Sequence, residues 1–359
     1  MSAPAPPPPP SPPPPPPPIT RLEPDRVRAE TFTALRAGAV LARAEAGVVS
    51  LVGPGAVTCL QGLLTSDVEK PGDGAFVYGA LLTPKGMIVV DGWAARRGAT
   101  VRYTVPAEGR ERALAIFTRS IPPRLARIAD QTADVAVFRL AGPRSLAAAE
   151  AAGLPLPPGP GRVIEADAGG DGITVARASE TAPFVLQVDV PRTRADAVRA
   201  KLAAAGAAET DPTGLELARI LAGWPGLASE VDEKTIPQEV RYDEIGGVSY
   251  TKGCYTGQET VSRLHFRGHT NRYLRGLVFD AEPGAPPAGA WSAVSHLDRE
   301  VGRVTSLAWV PGLGVAGGGL WIGLAIVRRE VAPGAVVRAA GRDARVVELP
   351  FVLPPPEPA

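Results

Sequence analysis

At 359 residues with 45% hydrophobic side chains, the chain is long enough for two or three packed domains. Its 38 basic and 37 acidic side chains nearly cancel, which argues against nucleic-acid or anionic-membrane binding by the whole surface and leaves electrostatic recognition to local sites. The two cysteines, Cys59 and Cys254, show no paired spacing for a disulfide framework or zinc knuckle and are too few for a four-thiolate cluster, so a reducing cytoplasm and no metal site of its own are expected.

The chain opens with a proline tract, Pro4 to Pro18, that lacks the basic start and apolar core of a signal peptide; residues 1–20 read as a solvated polyproline II tail. From Thr31 to Ala42 apolar residues recur at helical spacing, and Val48 to Val52 form a β-branched run ended by Gly53-Pro54-Gly55. Val57, Leu60 and Leu64 lie on one stripe of a second helix, which makes Cys59 core filler. Phe76 to Leu82 and Met87 to Ala94 flank Pro84-Lys85-Gly86 in the form of a β-hairpin, with Asp91 on its second strand. Strand Val101 to Val105 and helix Arg110 to Thr118 continue a mixed pattern.

A further unit has strands near Val135 to Leu140, Ile173 to Ala176 and Phe184 to Val188 and a helix around Ala195 to Ala203, with Leu154 to Gly161 as a surface loop. Thr213 to Leu221 is helical and is stopped by Gly223 and Pro225. Beyond Tyr273 the pattern is strand and turn alone, at Leu277 to Phe279, Val301 to Thr305, Leu324 to Val327, Ala335 to Ala339 and Ala344 to Leu349, which predicts a small all-β domain. The apolar stretch Gly312 to Val327 is too short and too glycine-broken to span a membrane and reads as a turn followed by a buried strand; Pro354 to Ala359 reads as a frayed end.

Polar and reactive groups concentrate between Ile236 and Arg275. Gly253 and Gly257 bracket Cys254 and would display its thiol at the rim of a cavity, while Lys252 before it and the arginines after it would favour the thiolate. Downstream, Leu264 and Phe266 alternate with Arg263, His265 and Arg267, the period of a half-buried strand with one cationic face, to which Arg272 and Arg275 add charge suited to an anionic tail. His265 and His269 would suit a metal only on a helix, which this alternation and Gly268 oppose. Gly317-Gly318-Gly319 lacks the strand-to-helix setting of a nucleotide loop.

The run Lys252-Gly253-Cys254-Tyr255-Thr256-Gly257-Gln258-Glu259 resembles the YgfZ-family signature K-G-C-Y-x-G-Q-E at every fixed position. Ile236-Pro237-Gln238, Gly246-Gly247-Val248-Ser249, Phe266-Arg267-Gly268, the stretch Leu60 to Val68 and the hairpin Leu82 to Gly86 support the likeness, which covers residues 35 to 350. One departure is Asn271 before Arg272, where related sequences usually carry Lys-Arg. The resemblance implies an α+β, T-protein-like ring of two mixed α/β units and a C-terminal β-barrel: a discontinuous unit of residues 21–134 and 213–274 carrying the signature loop, a second unit 135–212, a barrel 275–352, and a frayed end 353–359.

By the same likeness the ligand is tetrahydrofolate or a derivative in the central opening. The function implied is assembly or repair of iron–sulfur enzymes, including tRNA-modifying ones, by a cytoplasmic monomer that works with iron–sulfur client or assembly proteins and touches neither nucleic acid nor membrane directly. Cys254 would be the key thiol, with Lys252, Tyr255, Gln258 and Glu259 shaping its loop and the folate site. From its charge, and not from the likeness, the basic face at Arg263, Arg267 and Arg272 would meet the glutamate tail of folate. The competing enzyme reading is an aminomethyltransferase in which Asp91 organises the folate amine and Cys254 is incidental; a third is a folate-binding scaffold without chemistry.

Overall fold

The computed structural model describes residues 19–166, 172–282, 293–314 and 318–354; the proline tract and the last five residues of the predicted frayed end lie outside them. Three sheets organise the chain. The first is antiparallel with the spatial order Phe76–Leu82, Ile88–Arg97, Thr100–Pro106, Ala46–Val52 and Arg127–Asp130. Its apolar face is covered by helices Ala56–Gln61 and Arg110–Ser120, whose Leu60, Ala113 and Phe117 are fully buried. The expected hairpin is present: Gly86 donates to Thr83 O at 2.9 Å, Thr83 N to Met87 O at 2.8 Å, and Gly86 turns the chain at φ +89°.

The second sheet runs Ala208–Glu209, Val40–Arg43, Val135–Ala141, Leu186–Pro191, Thr174–Arg177 and Arg162–Glu165, backed by helices Ser145–Ala151 and Ala195–Ala204. It corrects the predicted helix Thr31 to Ala42. The helix spans Ala29–Ala37 and stops at Gly38, and Val40, Leu41 and Ala42 are buried as a strand between Ala208–Glu209 and Val135–Ala141. Partners on both sides decide the matter, since alanine-rich spacing does not distinguish the two states.

The third sheet closes on itself. Arg272–Phe279, Leu320–Arg328, Arg299–Val310, Ala293–His296, Val336–Ala339 and Arg342–Val347 each pair with the next and the last with the first, giving a six-stranded barrel that removes free edges. Thr20–Leu22 extends the same sheet, parallel to Arg299–Val310 at Ser306 to Ala308.

Polar contacts tie the layers together. Arg102 of the first sheet bonds Asp189 of the second at 3.1 Å. Arg219, on the helix Pro212–Leu221, donates to the fully buried Glu230 at 2.7 Å and to the barrel hydroxyl of Ser306 at 2.9 Å. Burial alone would raise the Glu230 carboxyl, but Arg219 and the hydroxyls of Thr305, Ser306 and Ser229 outweigh it and hold the group ionised below its ordinary range.

Candidate functional site

Where the sheets and the helix Pro212–Leu221 converge they leave a cavity of about 430 Å³, within the usual range of small-molecule sites. The first sheet supplies Tyr78, Asp91 and Trp93, the second Arg139, and the segments after them Phe184 and Trp224. Trp93 stacks with Trp224 at 5.9 Å between ring centroids and meets Phe184 edge-on at 5.1 Å, so three aromatic rings wall one part of the space.

Asp91 is the buried acid of this cavity, which Glu45, Glu108 and Glu216 also line from less buried positions. Strand alternation turns it to the same side as Trp93, and it is 3% exposed. Tyr78 and Tyr242 each donate a hydroxyl hydrogen bond of 2.7 Å to its Oδ2, and the two hydroxyls lie 3.0 Å apart. Burial pushes the Asp91 carboxyl up, the two phenols pulling it back only in part, while burial and the Asp91 charge raise both phenols well above their ordinary value. The result is a carboxyl at the wall of an aromatic pocket whose proton affinity burial raises, a property of acid and base groups in functional sites.

The signature loop sits elsewhere. Lys252 is buried, and its ammonium donates to the carbonyls of Gln61, Leu64 and Ser66 at 2.6, 2.6 and 3.0 Å, closing the C-terminal end of the helix Ala56–Gln61. Burial pushes the amine down to about 8 against the attraction of Asp67 and Glu69. Its hydrogen bonds are therefore spent on the chain at Gln61 to Ser66, 5.0 Å from the ring of the buried Tyr255. Gly257 takes φ +82°, and a Cβ there would meet Thr83 O at 2.5 Å, so this glycine lets the loop press against the hairpin turn. Cys254 is exposed, and Cys59 packs at the edge of the core.

After Gly257 the predicted strand is instead a helix, Gln258–Arg267, ending at Gly268. Val261 and Leu264, three residues apart, face the protein, whereas Phe266 is 67% exposed and made the sequence look alternating. Arg263 and Arg267 are exposed on this helix without an ion pair to a described residue, and Gln258 and Glu259 stand in its first turn. Arg272 is engaged by Glu239 at 2.7 Å. His265 stacks on Tyr250 at 3.6 Å, and His269 lies beyond the helix; among the described residues no group of three or more His, Cys, Asp or Glu is placed to hold a metal ion.

Of the residues singled out from sequence, then, Asp91 alone lines the cavity; Lys252, Cys254, Tyr255, Gln258, Glu259, Arg263, Arg267 and Arg272 do not. Sequence reasoning missed Tyr78, Trp93, Arg139, Phe184, Trp224 and Tyr242. For Arg139 a signal existed: one arginine inside the apolar strand run Val135 to Ala141.

A closed barrel joined to two helix-backed sheets around a cavity with a buried acid defines a T-protein-like ring protein. The solved structure of glycine cleavage system aminomethyltransferase T from Bartonella henselae matches it with a TM-score of 0.73 at 20% identity, over 90% of this chain and 89% of that one. A family model for the GCVT N-terminal domain matches residues 21–245. An aminomethyltransferase of Rubrobacter xylanophilus is 32% identical over 310 residues, 85% of this chain and 80% of that protein. A tRNA-modifying protein YgfZ of Vibrio vulnificus is 39% identical over 87 residues, which is 24% of this chain and 25% of that protein. The chain belongs to the GCVT family, as a YgfZ-type member related to the aminomethyltransferases. Among the described residues no helix is long and apolar enough to cross a membrane.

Proposed function

We propose that the protein binds a tetrahydrofolate derivative in the central cavity and serves iron–sulfur enzymes, tRNA-modifying ones among them, through the exposed thiol of Cys254. The observation that carries the reading is the buried carboxyl of Asp91 beside the Trp93, Phe184 and Trp224 rings, a setting that fits a flat heteroaromatic ring with hydrogen-bonding nitrogens. Folate, when bound, supplies a nitrogen that carries a one-carbon unit. Trp93, Phe184 and Trp224 would form an apolar wall against the ring and exclude water from that side, and Asp91 would accept a hydrogen bond or a proton from a ligand nitrogen while Tyr78 and Tyr242 hold its Oδ2 in place.

Calorimetric titration with tetrahydrofolate and its 5,10-methylene form tests the binding half. Trp93→Ala and Asp91→Asn should each weaken binding, and Arg263→Ala, outside the cavity, should not; absence of binding to the unaltered protein would end the folate reading. The thiol half is tested separately: Cys254→Ser should leave folate affinity intact and abolish support of iron–sulfur enzyme activity in cells, and full support by that variant would overturn it.

A second reading, aminomethyl transfer, is favoured by Asp91 and by the relationship to an aminomethyltransferase over most of both chains. In that case Asp91→Asn, and not Cys254→Ser, removes turnover of an aminomethyl donor.

A further inference from the structure

Arg139 stands apart from the other arginines tied into the interior. Arg219 pairs with Glu230, Arg102 with Asp189 and Arg272 with Glu239. Arg139 lines the cavity, and no carboxylate of a described residue lies within ion-pair distance of it. Its Nε and Nη2 both donate to one neutral oxygen, Gln187 Oε1, at 3.3 Å, and its guanidinium lies 4.4 Å from the centroid of the Phe184 ring. Nη1 has no hydrogen-bond partner among the described residues. The nearby acid Asp189 is already committed to Arg102 and to the amide of Gln187.

Such an arrangement holds a cation in place on an aromatic face and leaves donors for something else. Burial pushes the guanidinium of the half-buried Arg139 down to about 10, against the pull of Asp189 and Asp91, so the charge persists at neutral pH. An oxygen acceptor in the cavity would relieve that desolvation. The position among the aromatic rings bears on the acceptor: Arg139 lies on Phe184, the ring that meets Trp93 edge-on, so its donors stand beside the aromatic wall against which a heterocycle would pack.

We propose that Arg139 is a specificity-determining residue of the cavity that donates to the C4 oxo oxygen of a bound pterin ring and rejects ligands with an amino group there. The inference rests on the folate reading above. A 4-amino group presents donors to a donor, and a buried polar group left unpaired discriminates strongly.

The test is calorimetric titration with tetrahydrofolate and with its 4-amino-4-deoxy counterpart, which differ in the C4 substituent and in the proton on N3, on wild type, Arg139→Gln and Arg139→Lys, so that the change between proteins isolates the arginine, with thermal melts to verify folding. Wild type should prefer the oxo form by about ten-fold or more. Arg139→Gln should weaken the oxo form by a similar factor and flatten the preference, with Arg139→Lys intermediate. Equal affinity of wild type for the two forms overturns the proposal without any variant. An unchanged oxo affinity in a folded Arg139→Gln protein also overturns it, in both cases leaving folate binding intact. Failure of wild type to bind either form instead removes the folate reading itself.

Discussion

Asp91 Oδ2 accepts a 2.7 Å hydrogen bond from the hydroxyl of Tyr242, a residue 151 positions further along the chain. The contact joins the hairpin strand to the segment that precedes the signature loop, and both partners are buried. Tyr242→Phe keeps the ring against Tyr78 but removes one of the two donors to this acid. It should cost about 1–3 kcal/mol, read as a lower urea midpoint with an unchanged slope.

Asp91 also sets a pH dependence. Its folded pKa is raised by burial from 3.8, so as pH climbs above that value the unfolded chain ionises first and the folded state loses stability until it too ionises. Asp91→Asn removes this loss. The variant should melt higher than wild type near pH 7.5 and show a flatter melting-temperature profile above the ordinary carboxyl range. A lower melting point at neutral pH would mean that the two phenol bonds outweigh burial.

The signature loop should separate into a structural and a chemical part. Lys252→Met strands three carbonyls that share one ammonium, for a loss of about 3 kcal/mol in denaturant unfolding. Cys254→Ser, at an exposed position, should change stability by less than about 0.5 kcal/mol.

Gly257→Ala places a side chain at φ +82° and against Thr83 O. The strain should cost more than about 1 kcal/mol, and hydrogen exchange should show the hairpin turn and the first turn of the helix Gln258–Arg267 loosening together.

Glu230→Gln leaves Arg219 charged and buried with the half-buried Glu216 as its remaining carboxylate. Breaking such a pair costs about 3–5 kcal/mol. Because Ser306 belongs to the barrel and Arg219 to the helix beneath it, limited proteolysis should show cleavage at the barrel junction appearing with the loss of stability.

Much of this was legible in the chain itself. The hairpin at Pro84-Lys85-Gly86, five of the six barrel strands, all but Ala293–His296, and the helix Pro212–Leu221 follow from local turn chemistry and from strong periodicity, which act over a few residues and need no partner to be read. The glycines and the lysine of the signature also carried their message in sequence, as the motif of a family; what Lys252 does, capping carbonyls nearly two hundred residues away, did not show there.

Tertiary structure decided the rest. Val40–Arg43 is a strand because two strands flank it, and Gln258–Arg267 a helix because Val261 and Leu264 find a surface to bury, in each case a contact that spacing alone does not specify. The cavity is the clearest instance: Asp91, Arg139, Phe184, Trp224 and Tyr242 come from well-separated segments, each ordinary in its own stretch of sequence. A buried acid, a cation without an ion-pair partner and a wall of rings become a site only when packing brings them around one cavity, and that happens in three dimensions and not along the chain.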